Sequence, residues 1–442
     1  MQRLVTLAWP LFVGNILNTF YNLADMYWVS GVGTEAVAAV AMTYPTVWLT
    51  FSFGLGVTIA GSTFVAQYTG AGQHDEVGRT AGQVVLLACV VAVFLGSLGI
   101  LLRKTILTLM GATGEVLELG SAYLLIVLSA LPFNYIYLAY RSVSQGSGNS
   151  KTPRNLLLLT TLLNVVLDPF LIHGWLGLPA LGVVGAAWAT WLSMLLGAVL
   201  SLLHLASGRL GLRLRPMHFL PDWSLLRRIA ALGLPGSLDM GARGVSSVMV
   251  AGIVSRFGPV EAAAYGLVNR LMSVVWTSSG AMEQAAAAGV GQNLGANTPE
   301  RAERVAWVGA GVMFAFLTAV AMLLYVFAEP IIGVFHVSDE VASTAARFLR
   351  LHVFSFGFWG ALDVVQGAFR GAGQTVPPAV LTFAGRWLFQ IPLAIAMSYR
   401  WGYGANGYWI ALPLTNVLFF FVGAIWFRAG RWKQASVLQA TT

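Results

Sequence analysis

Apolar runs of eighteen or more residues recur from one end of this 442-residue chain to the other. Each is long enough to span the ~30 Å hydrocarbon core of a bilayer. Only 10% of the residues are charged, 57% are hydrophobic, and the mean hydropathy is +0.75. No soluble domain of this size needs so few charges, so the chain reads as an integral membrane protein built of helices. The first apolar run is too long for a cleavable leader and carries Asp25 where an uninterrupted apolar stretch belongs. The single cysteine, Cys89, excludes an intramolecular disulfide. The net charge of +8 does not call for nucleic acid, because most basic residues fall in loops, where they report topology.

Twelve membrane spans are predicted, at about 5–30, 36–66, 81–102, 118–140, 155–172, 182–205, 229–255, 261–291, 304–328, 346–368, 378–399 and 406–427. Spans 2 and 8 are long enough to tilt, kink or protrude. With the N-terminus in the cytoplasm, sixteen of the Lys and Arg residues fall inside, Arg370 among them, and six, Arg103, Lys104, Arg256, Arg347, Arg350 and Arg400, fall outside or near that edge. Arg243, Arg270 and Arg386 fall within spans. This asymmetry puts both termini in the cytoplasm of a cell whose plasma (inner) membrane the chain crosses repeatedly.

The chain also repeats itself. Leu7 and Pro10 recur as Leu232 and Pro235. Gln67, Gly70, Ala71 and Arg79 recur as Gln292, Gly295, Ala296 and Arg304, and Glu115-Val116 as Glu340-Val341. Gly146, Gly148 and Pro153 recur as Gly371, Gly373 and Pro378. Every pair is 225 residues apart, an offset that chance would not preserve over four separated blocks. The expected organisation is an N-lobe at 1–206 with spans 1–6, a basic cytoplasmic linker at 207–228, and a C-lobe at 229–442 with spans 7–12. Six spans per half means that the two halves run in the same direction. The Gly-rich segments after spans 4 and 10 read as tight turns.

Chemistry concentrates in a few polar positions at membrane depth. Asn15, Asn18, Asn22 and Asp25 are spaced three, four and three apart, so they share one stripe of span 1. An ionisable group at that depth is costly and by default functional. In span 5, Thr160, Asn164 and Asp168 are four apart and share a face. Two carboxylates, an amide oxygen and hydroxyls, with Thr190 of span 6 as a further oxygen, suit a hard cation or a proton. The offset puts Val250 and Leu393 opposite Asp25 and Asp168, so the second half does not copy these acids. It has Asp239, Arg243, Arg270, Glu283, Asp363 and Arg386 instead. Asp239 and Arg243 are four apart and can neutralise each other, whereas Glu283 and Asp363 lack a local basic partner and read as contacts to a substrate or a second ion. Tyr21, Tyr44, Trp48, Phe51 and Phe53 cluster in the first two spans, and Trp276 lies in span 8. Trp48 could hold a flat cation by cation–π contact. No zinc-protease, Walker, nucleophile-elbow or paired-cysteine motif occurs, and the six histidines are scattered, so an enzyme is not expected.

Two six-span halves, Leu7-Ala8-Trp9-Pro10 at the start, an acid in span 1, Gln292-Asn293-Leu294-Gly295-Ala296 after span 8 and Arg370-Gly371-Ala372-Gly373 after span 10 resemble the multidrug and toxic compound extrusion (MATE) transporters of the MOP flippase superfamily. The resemblance covers nearly the whole chain. It implies two six-helix bundles around a V-shaped cavity, export of amphipathic organic cations against Na⁺ or H⁺, no cofactor and a monomer. It also implies that Asp25, Asn164, Asp168 and Thr190 form the N-lobe cation or proton site. Asn18, Tyr21, Asn22, Trp48, Trp276, Glu283 and Asp363 are the candidate substrate contacts. Asp363 matches an acid of the NorM branch, but Arg243 stands near the place of that branch's span-7 acid, which favours the DinF-like, N-lobe reading. The alternatives are a lipid-linked oligosaccharide flippase of the same superfamily, whose cationic cavity only Arg243, Arg270 and Arg386 could supply, and a channel.

Overall fold

The computed structural model describes residues 2–177, 179–208, 214–434 and 437–438, and of 2–5, 16, 18–25 and 274 it describes the backbone alone. The described residues hold no β-strand. Seven helices are long and apolar enough to cross a membrane, and two bent helix pairs bring the spans to nine. The helices Gln2–Ser30 (span 1), Trp223–Ser255 (span 7) and Pro259–Gly295 (span 8) complete the twelve.

In chain order the others are span 2 (Thr34–Gly70), span 3 (His74–Leu109), span 5 (Lys151–His173), span 6 (Val183–Ala206), span 9 (Pro299–Val326), span 11 (Val376–Arg400) and span 12 (Ala405–Arg428). Spans 4 and 10 are the bent pairs. Span 4 joins Gly114–Ser129 to Leu131–Gly146 at 44°, and span 10 joins Asp339–Val353 to Phe356–Gly371 at 52°. The sequence reads each of these as one span, at 118–140 and 346–368. In span 4, Pro132 opens the second piece and has no N–H to bond back across the break. In span 10, both the backbone N–H and the hydroxyl of Ser355 bond to the His352 carbonyl, at 3.1 and 3.0 Å, which tightens the chain into a turn. Span 11 differs from span 5, its repeat partner. Span 5 is α-helical throughout, whereas span 11 is π-wound at Ala384–Gln390 and again at Ala396–Arg400.

The chain divides into two compact units, residues 9–237 and residues 1–8 with 238–442. The first turns of span 7 belong to the first unit because glycines let them close on span 2. A Cβ on Gly233 would lie 2.9 Å from the Gly56 carbonyl oxygen, and the Ser237 hydroxyl donates to the Phe53 carbonyl at 3.1 Å. Within the first unit, the Tyr135 hydroxyl of span 4 donates to the Thr50 carbonyl of span 2, over a Gly54 whose missing side chain makes room for the ring. The second unit is more aromatic. Phe348 stacks on Trp409 at 4.9 Å and Phe427 on Trp432 at 4.4 Å, all four fully buried.

The 225-residue repeat is visible in the packing of each unit. A Cβ on Gly146 would sit 2.7 Å from the Ser62 carbonyl oxygen. A Cβ on Gly371 would sit 2.2 Å from that of Ala287. Both members of the second pair are the first pair shifted by 225, so each unit closes the same helix crossing with the same absent side chain.

The segment between spans 6 and 7 is pinned to the start of span 3. The Gln83 amide donates to the carbonyls of His218 and Leu220 at 2.7 and 2.8 Å, and its oxygen accepts from the Asp222 N–H at 3.0 Å. Arg79 pairs with Asp222 at 2.5 Å and with Glu76 at 3.5 Å.

Candidate functional site

Span 5 carries Asn164 and Asp168 at the spacing of one helical turn, and both are fully buried. Spans 5 and 6 run antiparallel and close together. A Cβ on Gly185 would meet the Leu171 carbonyl oxygen at 2.2 Å, and one on Gly197 would meet the Thr160 methyl at 3.2 Å. Those two contacts set the register, which puts Thr190 and Ser193 of span 6 alongside the turn from Leu163 to Leu167. Both are buried, as is Thr161 of span 5. Neither amide atom of Asn164 has a hydrogen-bond partner among the described residues, nor has the hydroxyl of Thr161 or of Ser193. A buried polar group without a partner costs about 1–3 kcal/mol, so this patch keeps unspent hydrogen-bonding capacity in the interior of the unit.

Thr161, not Thr160, joins this cluster. The Thr160 hydroxyl donates at 3.0 Å to the Leu157 carbonyl of its own helix. Spacing by four pointed to Thr160, yet Thr161 precedes Asn164 by three and is equally on its face. Ser193 was also missed, although it follows Thr190 by three. Span 1 is helical throughout, which carries Asn18, Tyr21, Asn22 and Asp25 on one helix as expected, but their side chains lie outside the described residues.

The second unit holds a network of opposite character. Asp239 of span 7 is 1% exposed and accepts from two arginines, Arg370 of span 10 at 2.7 Å and Arg243 at 3.3 Å. Arg370 pairs through its other nitrogen with Glu283 of span 8. Arg243 also donates to Gln366 at 2.8 Å and to Thr382 at 3.0 Å. Asp363 is buried and accepts from Ser279 at 2.6 Å.

Two expectations change here. Arg370 is not a loop residue reporting topology. It is buried on span 10, between two acids. Glu283 accordingly has a basic partner, delivered by a different helix where local spacing cannot show it. The signal was present in span 10 itself, since Asp363, Gln366 and Arg370 form a polar stripe at spacings of three and four on an otherwise apolar helix.

Arg270 and the two tryptophans named as candidate contacts lie at their unit's surface. Trp48 stacks on Tyr44 at 6.5 Å, and Trp276 meets Trp359 edge-on at 6.1 Å. Among the described residues no three His, Cys, Asp or Glu side chains converge as a metal site would require.

The MatE family model matches residues 10–170 and 243–396 of this chain. The chain is 29% identical over 413 residues to the "Probable multidrug resistance protein YoeA" of Bacillus subtilis, covering 91% of this chain and 88% of that protein. It is 26% identical over 438 residues to the "Probable multidrug resistance protein NorM" of Thermotoga maritima, covering 99% and 94%. Among solved structures, "Crystal structure of MATE in the bent conformation" superposes with a TM-score of 0.92 at 24% identity, over 99% of this chain and 97% of that one. The twelve-span, two-bundle fold is therefore shared.

Proposed function

The chain belongs to the MatE family, and on that premise we propose that it is a secondary active multidrug exporter. It moves amphipathic organic cations by alternating access, against an inward flow of H⁺ or Na⁺. It is a membrane transporter and not an enzyme. The basic loops support a plasma-membrane orientation with both termini in the cytoplasm, and a single chain suffices.

One observation carries the site. Asn164 is completely buried with its amide oxygen and nitrogen unpartnered among the described residues, one turn from the buried Asp168 and beside Thr161 and Ser193. A coupling cation or proton is the ligand that suits a carboxylate ringed by neutral oxygens. Asp25 of span 1 is the second acid that the sequence brings to this lobe. Two carboxylates in a low-dielectric site cannot both remain charged without a cation or a shared proton. Emptying the site changes the packing of spans 1, 5 and 6, and a ligand shifts only equilibria whose states it binds differently.

The test is gradient-driven ethidium transport in vesicles reconstituted with wild type, Asp25→Asn and Asp168→Asn, with thermal melting of each. Coupled transport should be lost in Asp25→Asn and reduced in Asp168→Asn while both proteins stay folded. Full transport in either variant would remove that acid from the site, and failure to fold would make it a packing residue. A pure Na⁺ gradient and then a pure pH gradient identify the coupling ion. Ion current without saturable dye movement would make the protein a channel, and movement of a polyprenyl-linked glycan instead of dye would make it a flippase.

A further inference from the structure

Arg243, Arg370 and Arg386 are partly or fully buried in the second unit, with Arg270 at its surface, and two of the three are spent. Arg370 holds Asp239 and Glu283. Arg243 donates through Nε and Nη2 to Asp239, Gln366 and Thr382. Arg386 is different. Among the described residues its one hydrogen bond is from Nη1 to the Ser246 hydroxyl, at a long 3.4 Å, and no carboxylate lies within 4.0 Å. A guanidinium has five N–H donors in a planar fork. Four of them therefore lack an acceptor among the described residues, as does Nη1 of Arg243.

Ser246 ties Arg386 to the backbone of span 7. Its hydroxyl donates to the carbonyl of Arg243, three residues earlier on span 7, at 2.9 Å and accepts from Arg386. The Arg243 guanidinium reaches span 11 at Thr382, four residues before Arg386, so the two arginines follow one another along that span. Arg386 sits near the middle of the 25-residue span 11, on the π-wound segment Ala384–Gln390. Single π-turns inside α-helices recur at functional positions because they re-aim side chains. At ~1.5 Å per residue, ten residues separate Arg386 from the nearer end of its span by about 15 Å. That depth is out of reach of a resident lipid headgroup and too deep for snorkelling along the side chain.

A half-buried charge at the bilayer midplane with its fork open is matched to a ligand of opposite charge. We propose that Arg386, assisted by Arg243 Nη1 and Ser246, is an anion subsite that binds the phosphate or carboxylate of a transported amphipathic molecule. The subsite widens the cargo from cations to molecules carrying an anionic group. A soluble cargo is favoured, and the headgroup of a flipped lipid presents the same chemistry. The inference rests on the reading of the chain as a transporter.

The experiment uses full-length protein in phosphatidylcholine vesicles loaded with alkaline phosphatase. The probe is 4-methylumbelliferyl phosphate, whose entry releases a fluorescent alcohol, and ethidium is the parallel cationic probe. Wild type should move the phosphate saturably. Arg386→Gln should raise its KM about tenfold or more and leave the KM for ethidium unchanged. Arg386→Lys, which keeps the charge but not the fork, should fall between them. The probe should also raise the melting temperature of the wild type and not that of Arg386→Gln.

An unchanged KM for the phosphate in Arg386→Gln, or a melting temperature that the probe shifts in neither protein, overturns the subsite. Movement of ethidium but not of phosphate by the wild type overturns it as well and leaves the exporter reading intact. If neither probe moves, the exporter reading fails, and the melting shift alone decides the subsite. In a second arm, Arg386-dependent flipping of nitrobenzoxadiazole-labelled phosphatidylglycerol without uptake of the soluble phosphate assigns the anion to a lipid headgroup.

Discussion

Arg370 is the residue whose removal should be felt most in the second unit. Its side chain is 6% exposed and lies between Asp239, 1% exposed, and Glu283, 13% exposed. Arg370→Met keeps the length and apolar stem but leaves Glu283 without the arginine that balances it, and leaves Asp239 with Arg243 alone. Stranding a buried carboxylate costs about 3–5 kcal/mol. At about 2–4 °C of melting temperature per kcal/mol, the expected drop is on the order of 6–20 °C. Glu283→Gln alone should cost less, about 1–3 kcal/mol, because Arg370 keeps Asp239. The double variant Arg370→Met/Glu283→Gln removes one positive and one negative charge and leaves the Asp239–Arg243 pair intact. Replacing a whole buried pair is often nearly neutral, so the double variant should melt closer to wild type than Arg370→Met does. Thermal unfolding of the four purified proteins closes the cycle. Additive losses, or a loss below about 1 kcal/mol in Arg370→Met, would refute the view that these charges hold spans 7, 8 and 10 together.

Other expectations follow from the packing. Gly146→Ala and Gly371→Ala should each destabilise by about 1–3 kcal/mol, read as a lower melting temperature, because each Cβ meets a backbone carbonyl of the neighbouring helix. Gln83→Leu removes three hydrogen bonds to residues 218–222, together about 2–4 kcal/mol of local docking, and should speed amide hydrogen exchange there while spans 2 and 3 stay protected. Acid should have a smaller effect of the same kind. Burial, then Arg215, hold the His218 imidazole below its ordinary value against the opposing pull of Asp75. Its docked neutral form is therefore fully favoured above about pH 6.5 and loses its advantage as the pH falls below that, so the protection of 214–222, after correction for the slower base-catalysed intrinsic exchange in acid, should be lower at pH 5.5 than at pH 7.5.

Much of this molecule is legible without coordinates because a bilayer imposes strong rules. The length of each apolar run gives the spans, and Gly146, Gly148 and Pro153 against Gly371, Gly373 and Pro378 give the repeat. The structure explains why those positions match, since Gly146 and Gly371 close equivalent helix crossings. Bends were harder to read. Neither Ala130 nor Phe354-Ser355 breaks an apolar run, so spans 4 and 10 look continuous by hydropathy. The charge network was misread for a physical reason. Partners on one helix can be read from spacing, as Asp239 and Arg243 were, whereas Glu283 and Arg370 are 87 positions apart and meet only through the packing of spans 8 and 10. A position near a turn does not distinguish a loop arginine from a buried one, and only the stripe of Asp363, Gln366 and Arg370 hinted at the difference.

The two units share a skeleton and differ in what they do with buried polarity. In the first, the described polar cluster is a carboxylate, an amide and hydroxyls, with no basic side chain among Thr161, Asn164, Asp168, Thr190 and Ser193. In the second, Asp239 and Glu283 are each tied to arginine. A carboxylate already bound to a guanidinium has little left to offer Na⁺ or H⁺, because displacing that partner strands a charge. A carboxylate one turn from an amide and hydroxyls whose capacity is unspent can still gain from a cation. Coupling to an ion gradient therefore suits the first unit, and rigidity suits Asp239 and Glu283 of the second. The second unit's unspent positive capacity sits on Arg386. A repeat whose copies keep their helix crossings but exchange their charges can bind a cation in one half and an anionic group in the other, using one backbone plan for both.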